Sequence, residues 1–131
     1  MRILTLDHLV LTVASIDRTL AFYRDVLGMR AESFEGERWA LHFGTQKFNL
    51  HEAGHEFEPK AAHPAPGTAD LCLIAATPLD EVMATLAEHG VPLIEGPVTR
   101  TGAQGEIRSV YVRDPDDNLV EIANYPGAEP S

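Results

Sequence analysis

Two stretches of the chain are written on one template. Asp7-His8-Leu9-Val10-Leu11-Thr12-Val13 leads to Ile16-Asp17 and a helical stripe carrying Leu20 and Tyr23. Asp70-Leu71-Cys72-Leu73-Ile74 leads to Leu79-Asp80 and a stripe carrying Met83 and Leu86. The two align without a gap, and the second is then one residue shorter before its glycine, Gly90 against Gly28. Such a period marks a duplicated supersecondary unit, which constrains the fold more than any single motif. A duplicated unit commonly packs against its copy about a pseudo-two-fold axis, so equivalent positions of the two copies are where a site is sought.

At 131 residues the chain fits one domain, and it is long enough to bury a core without disulfide or metal staples. A net charge of -10 argues against nucleic acid and anionic membrane surfaces as partners. The single cysteine, Cys72, reads as a small buried hydrophobe in a strand. No apolar run approaches the ~20 residues of a membrane span. No signal peptide precedes Leu6, and the expected location is the cytoplasm.

Periodicity and turn residues predict the elements. Leu6 to Ala14 reads as a strand, Ser15 as a helix cap, and Gly28 as the helix stop. Arg30 to Glu35, Arg38 to Phe43 and Lys47 to Glu52 read as three short antiparallel strands. Residues 53 to 67 form a proline-rich linker. The second copy gives a strand Leu71 to Ala76, a helix Leu79 to His89, and strands Val91 to Val98, Ile107 to Arg113 and Leu119 to Asn124. Asp114 to Asn118 reads as a turn rather than a calcium loop, and the tail after Tyr125 as frayed. The class is α+β: two βαβββ modules, about 4–52 and 68–125.

This organisation resembles the vicinal-oxygen-chelate superfamily, which includes glyoxalase I, bleomycin-resistance proteins and type I extradiol dioxygenases. The resemblance rests on Leu6-Asp7-His8-Leu9-Val10-Leu11, on Ala21-Phe22-Tyr23-Arg24-Asp25-Val26-Leu27-Gly28-Met29, and on Arg113 through Ile122. Phe48-Asn49-Leu50-His51-Glu52 and Glu58 through Pro64 resemble its glyoxalase domain-containing branch of undefined activity. The resemblance implies a divalent metal (zinc, nickel, manganese or iron(II)) held by the first and fourth strands of each module. It also implies that the two modules form a paired, cup-shaped mixed sheet, and that the protein is a homodimer. The metal would act as a Lewis acid on a small substrate with adjacent oxygens.

Strand alternation sorts the ligand positions. His8 sits where the resemblance places the first ligand, and Glu121 where it places the last. The second copy offers Leu71, which cannot ligate, against His8; Asp70, one residue off, points to the opposite face by alternation and is a further candidate metal ligand only through a bulge or slipped register. Asn49 matches Glu121, and His51 shares its face. His51 either completes a two-histidine, one-carboxylate set with His8 and Glu121 or hydrogen-bonds in the cup wall. Arg100, in a glycine-containing loop over residues 100–105, is a candidate partner for an anionic substrate, and Asn49 and Tyr111 are candidate substrate contacts.

Two functions are in range. One is a metal-dependent glyoxalase-like lyase or isomerase, or a ring-cleaving dioxygenase, with Glu121 also moving a proton. The other is a metal-free binding protein of the bleomycin-resistance type, in which an apolar cup sequesters a small molecule.

Overall fold

A computed structural model describes residues 1–127. Residues 128–131, most of the tail expected to fray, lie outside the described residues. The chain divides into two compact units, Met1–Thr68 and Ala69 onward.

The first unit holds β1 (His8–Val13), α1 (Ile16–Leu20) with a π-helical continuation over Ala21–Val26, then β2 (Arg30–Phe34), β3 (Arg38–Phe43) and β4 (Gln46–Glu52). The Ser15 side chain accepts from the Arg18 amide and starts the helix, as its sequence position suggests. Gly28, at φ 79°, ends it in a conformation that favours glycine. The strands order as β1-β4-β3-β2, with β1 parallel to β4 and the rest antiparallel. Leu11, Val13, Leu41, Phe48 and Leu50 are buried on the helix side, where the Tyr23 ring meets Phe48 edge-on.

The second unit repeats this plan with β5 (Asp70–Ile74), α2 (Leu79–Glu88), β6 (Glu95–Gly102), β7 (Gly105–Arg113) and β8 (Leu119–Asn124). Its order is β5-β8-β7-β6, with β5 parallel to β8. Val110, Val112, Val120, Ile122 and Leu86 form its core. The turn before β8 is built by Asp114, whose Oδ1 accepts from the amides of Asp116 and Asn118.

Two expectations fail in β6. The strand was expected over 91–98 but runs over Glu95–Gly102, because Gly96-Pro97 is absorbed as an irregularity between Glu95 and Val98. Gly96 allows this at φ 109°; a Cβ there would meet the Ser109 carbonyl oxygen at 2.5 Å. The expected flexible loop over 100–105 is mostly strand: Arg100 pairs with Ile107 and Gly102 with Gly105.

Candidate functional site

Each sheet has one face under its helix and one face turned away from it. Cross-strand partners share a face, so the register assigns every side chain. On the far face of the first unit lie His8, Val10 and Thr12 of β1, beside Lys47, Asn49 and His51 of β4. His42 and Ala40 of β3, with Arg30 and Glu32 of β2, extend the same face.

His8 is half-exposed, and its Nδ1 lies 2.8 Å from Asp7 Oδ2. With Nδ1 donating to the carboxylate, Nε2 keeps its lone pair for an electrophile, the arrangement found in metal-binding histidines. His51 is only 9% exposed, and its Nδ1 has no hydrogen-bond partner; Asn49 Oδ1 on the same face is also buried without one. The linker folds back so that the Phe57 ring meets His51 edge-on, and the Arg38 guanidinium lies over that ring. Burial and then the Arg38 charge push the His51 pKa down, so the imidazole is neutral at pH 7.

On the far face of the second unit, Asp70 and Cys72 of β5 stand beside Leu119 and Glu121 of β8, with Ser109 and Tyr111 of β7 following. The fully buried Ser109 donates its hydroxyl to Glu121 Oε2 at 2.5 Å. Tyr111 Oη accepts from Arg100 Nε at 3.0 Å, and Arg100 also holds Glu95 Oε1 at 3.0 Å. Arg100 is therefore already engaged by a carboxylate, a phenol and the Thr99 carbonyl. Cys72 is exposed rather than buried as its strand context suggests, yet partial desolvation and then the neighbouring Glu121 carboxylate push its thiol up to about 11, so it is a poor nucleophile.

The register corrects the expectation for Asp70. It does not face away from Glu121: Asp70 pairs with Leu119 and Cys72 with Glu121, so all four share the far face, while Leu71 pairs with Val120 on the helix side. If Asn49 and Glu121 are matched, their β-partners Val10 and Cys72 correspond, and Asp70 takes the place of His8. Leu71 therefore lies on the helix side, out of register with His8.

Each face taken by itself carries donor types that bind divalent ions: imidazoles and an amide oxygen in the first unit, carboxylates in the second. Among the described residues no three His, Cys, Asp or Glu side chains gather around one point. A cleft of about 460 Å³ in the second unit lies on the helix side, lined by Leu79, Arg108 and Asn124 among others, and is separate from these residues.

A model of the Glyoxalase/Bleomycin resistance protein/Dioxygenase superfamily matches residues 5–122. The chain belongs to that superfamily. Within it, the chain is 55% identical over 120 residues to Virulence protein STM3117 of Salmonella typhimurium, covering 92% of this chain and 83% of that protein. The crystal structure of that relative superposes with a TM-score of 0.94 at 54% identity, covering 95% of this chain and 99% of the other. Glyoxalase domain-containing protein RDO1 of Mycosarcoma maydis is 50% identical over 125 residues, 95% of this chain and 70% of that protein. Lactoylglutathione lyase from Agrobacterium tumefaciens matches at a TM-score of 0.70 and 25% identity, covering 92% of each chain. The two βαβββ modules are thus the glyoxalase-superfamily fold. Membership places the chain among metal-dependent enzymes and small-molecule-binding proteins.

Sequence reasoning missed Ser109, which carries no motif and is revealed only by the bond to Glu121. It also passed over His42, whose face follows from the β3 register.

Proposed function

We propose that this superfamily member is a divalent-metal-dependent enzyme acting on a small oxygenated substrate, by glyoxalase-like lyase or isomerase chemistry or by ring-cleaving dioxygenation. The observation that carries the reading is shared orientation: His8 and Asn49 in one module, and Asp70 and Glu121 in the other, all face away from the helix of their own module. His8 and Glu121 are the proposed metal ligands, with Asp70 or His51 completing the set. Zinc, nickel, manganese and iron(II) all suit such nitrogen and oxygen donors. A bound ion would supply Lewis acidity toward adjacent substrate oxygens.

The protein's own groups have separable tasks. Asp7 fixes the His8 tautomer and leaves Nε2 available. Ser109 holds one oxygen of Glu121, and the other, when not engaged as a ligand, takes or returns a substrate proton. Tyr111, braced by Arg100, and Asn49, with its unpartnered carbonyl oxygen, orient the substrate. The protein is further proposed to be a cytoplasmic homodimer. The edge strands β1 and β5 support the dimer, because they leave Leu9 37%, Val10 42% and Ile74 52% exposed. No helix among the described residues is long and apolar enough to cross a membrane.

The test is a turnover screen with each of the four metals, using the hemithioacetal of methylglyoxal and glutathione, and catechol with dioxygen. Metal-dependent turnover lost in Glu121→Gln supports the reading. Absence of metal uptake together with tight binding of a small molecule would move the chain to the binding-protein type.

A further inference from the structure

One row of the first sheet is basic from edge to edge. His8 on β1 pairs with Lys47 on β4, Lys47 with His42 on β3, and His42 with Arg30 on β2. Adjacent strands stand ~4.8 Å apart, so the four residues follow one another across the far face, although the Lys47 ammonium leaves that line to lie over Phe34. This occurs in a chain of net charge -10. Two carboxylates touch the row at its ends: Asp7 on His8 at 2.8 Å, and Glu32 on Arg30 at 3.0 Å. Glu32 also comes within 3.4 Å of His42 Nε2, but that nitrogen makes no well-aimed hydrogen bond and is buried.

Lys47 is the exception among its neighbours. Arg30, Arg38 and Lys60 each hold a carboxylate. Lys47 instead reaches across the sheet to place Nζ 4.6 Å from the centroid of the Phe34 ring on β2. No carboxylate of the described residues pairs with it. A ring face steadies an ammonium without using its N–H donors. Lys47 is therefore half-buried, positioned, and left with three unspent donors. Partial burial of a charge with no counter-ion is costly unless a ligand supplies one.

We propose that the His8–Lys47–His42–Arg30 row is the recognition site for an acidic oxyanion group, carboxylate or phosphate, on the small molecule this chain binds. Lys47 provides the principal charge. The inference deepens the reading of the far face as the ligand face, but needs no metal. Arg100, the cation that sequence spacing favoured for this task, is already held by Glu95 and Tyr111.

The experiment titrates the full chain with inorganic phosphate, and separately with acetate, at constant ionic strength, following backbone amide shifts by NMR. Saturable shifts centred on His42, Lys47 and Asn49 are expected. Lys47→Gln should weaken the binding by about tenfold or more, Lys47→Arg should retain it within about threefold, and Arg24→Gln, on the opposite side of the unit, should leave it unchanged. Saturation with phosphate alone would narrow the ligand to phosphate esters; saturation with both would admit carboxylic acids. Shifts that stay linear, that scatter over the surface, or that survive Lys47→Gln in a folded protein overturn the proposal. Metal uptake measured on Lys47→Gln separates the two failures: unchanged uptake with lost phosphate binding supports this inference, and lost uptake with retained phosphate binding contradicts it.

Discussion

The first module presents imidazoles and cations on its far face, whereas the second presents carboxylates, hydroxyls and a thiol, although both faces are made by the same strand order. The whole sequence follows this division. Residues 1–68 carry seven Lys and Arg against nine Asp and Glu, and five of the six histidines; residues 69–131 carry three against eleven. Duplication kept the backbone plan, and the residues on the unconstrained face diverged. Helix-side positions stayed apolar in both copies because each must bury a helix. The lesson is that the copies are equivalent in register but not in chemistry.

The comparison can be strained first at the two cores. The first module packs aromatic rings, with Tyr23 fully buried against Phe22 and Phe48. The second packs aliphatic side chains around Leu86. Tyr23→Ala should cost ~3–5 kcal/mol and Leu86→Ala ~2–5 kcal/mol in denaturant unfolding. Two resolved transitions, each moved by one variant alone, would show that the modules unfold separately; a single shared transition would show that they are coupled.

A smaller effect is expected at the irregularity that only β6 of the second module carries. Gly96→Ala should destabilise by about 1–3 kcal/mol, from positive φ and collision with the Ser109 carbonyl. A thermal shift within error would mean that β6 relaxes without cost.

The far faces also differ in titration. Cys72 should alkylate about tenfold or more slowly at pH 8 than a free thiol, and Glu121→Gln should speed the reaction by removing the nearby anion. Equal rates in both proteins would contradict the proposed electrostatic contact. In the first module, His51 has a depressed pKa, so the unfolded chain binds its proton more readily than the folded one. Its contribution is present above the ordinary histidine pKa of about 6.5 and is lost as pH falls through that value toward the folded pKa. His51→Asn should flatten the fall of unfolding free energy in that window; an unchanged slope would assign it to other groups.

Most of the fold was legible because helix and strand periods, Gly28 and the 114–118 turn each signal locally. The register of β5 was not. Leu71, Cys72, Leu73 and Ile74 are apolar in succession, so alternation does not fix which face is buried. The gapless repeat aligned the helices correctly but missed an extra residue in the second strand-to-helix connection, which shifts Asp70 onto the face of Glu121. His8 and Glu121 were placed on their faces by alternation because their strands have cleanly apolar helix sides. Arg100 was misplaced in a loop because glycines at 102 and 105 also serve a tight hairpin. Lys47 and His42 carry no motif, and only the cross-strand register puts them in one line with His8.

The most direct measurement is metal stoichiometry on protein purified without chelator, followed by titration of the stripped protein with zinc, nickel, manganese and iron(II). The account predicts about one ion per chain for at least one of these metals, with uptake abolished in His8→Ala and in Glu121→Gln while both variants keep their fold. No uptake and no thermal stabilisation by any of the four, or uptake that survives both substitutions, would contradict it.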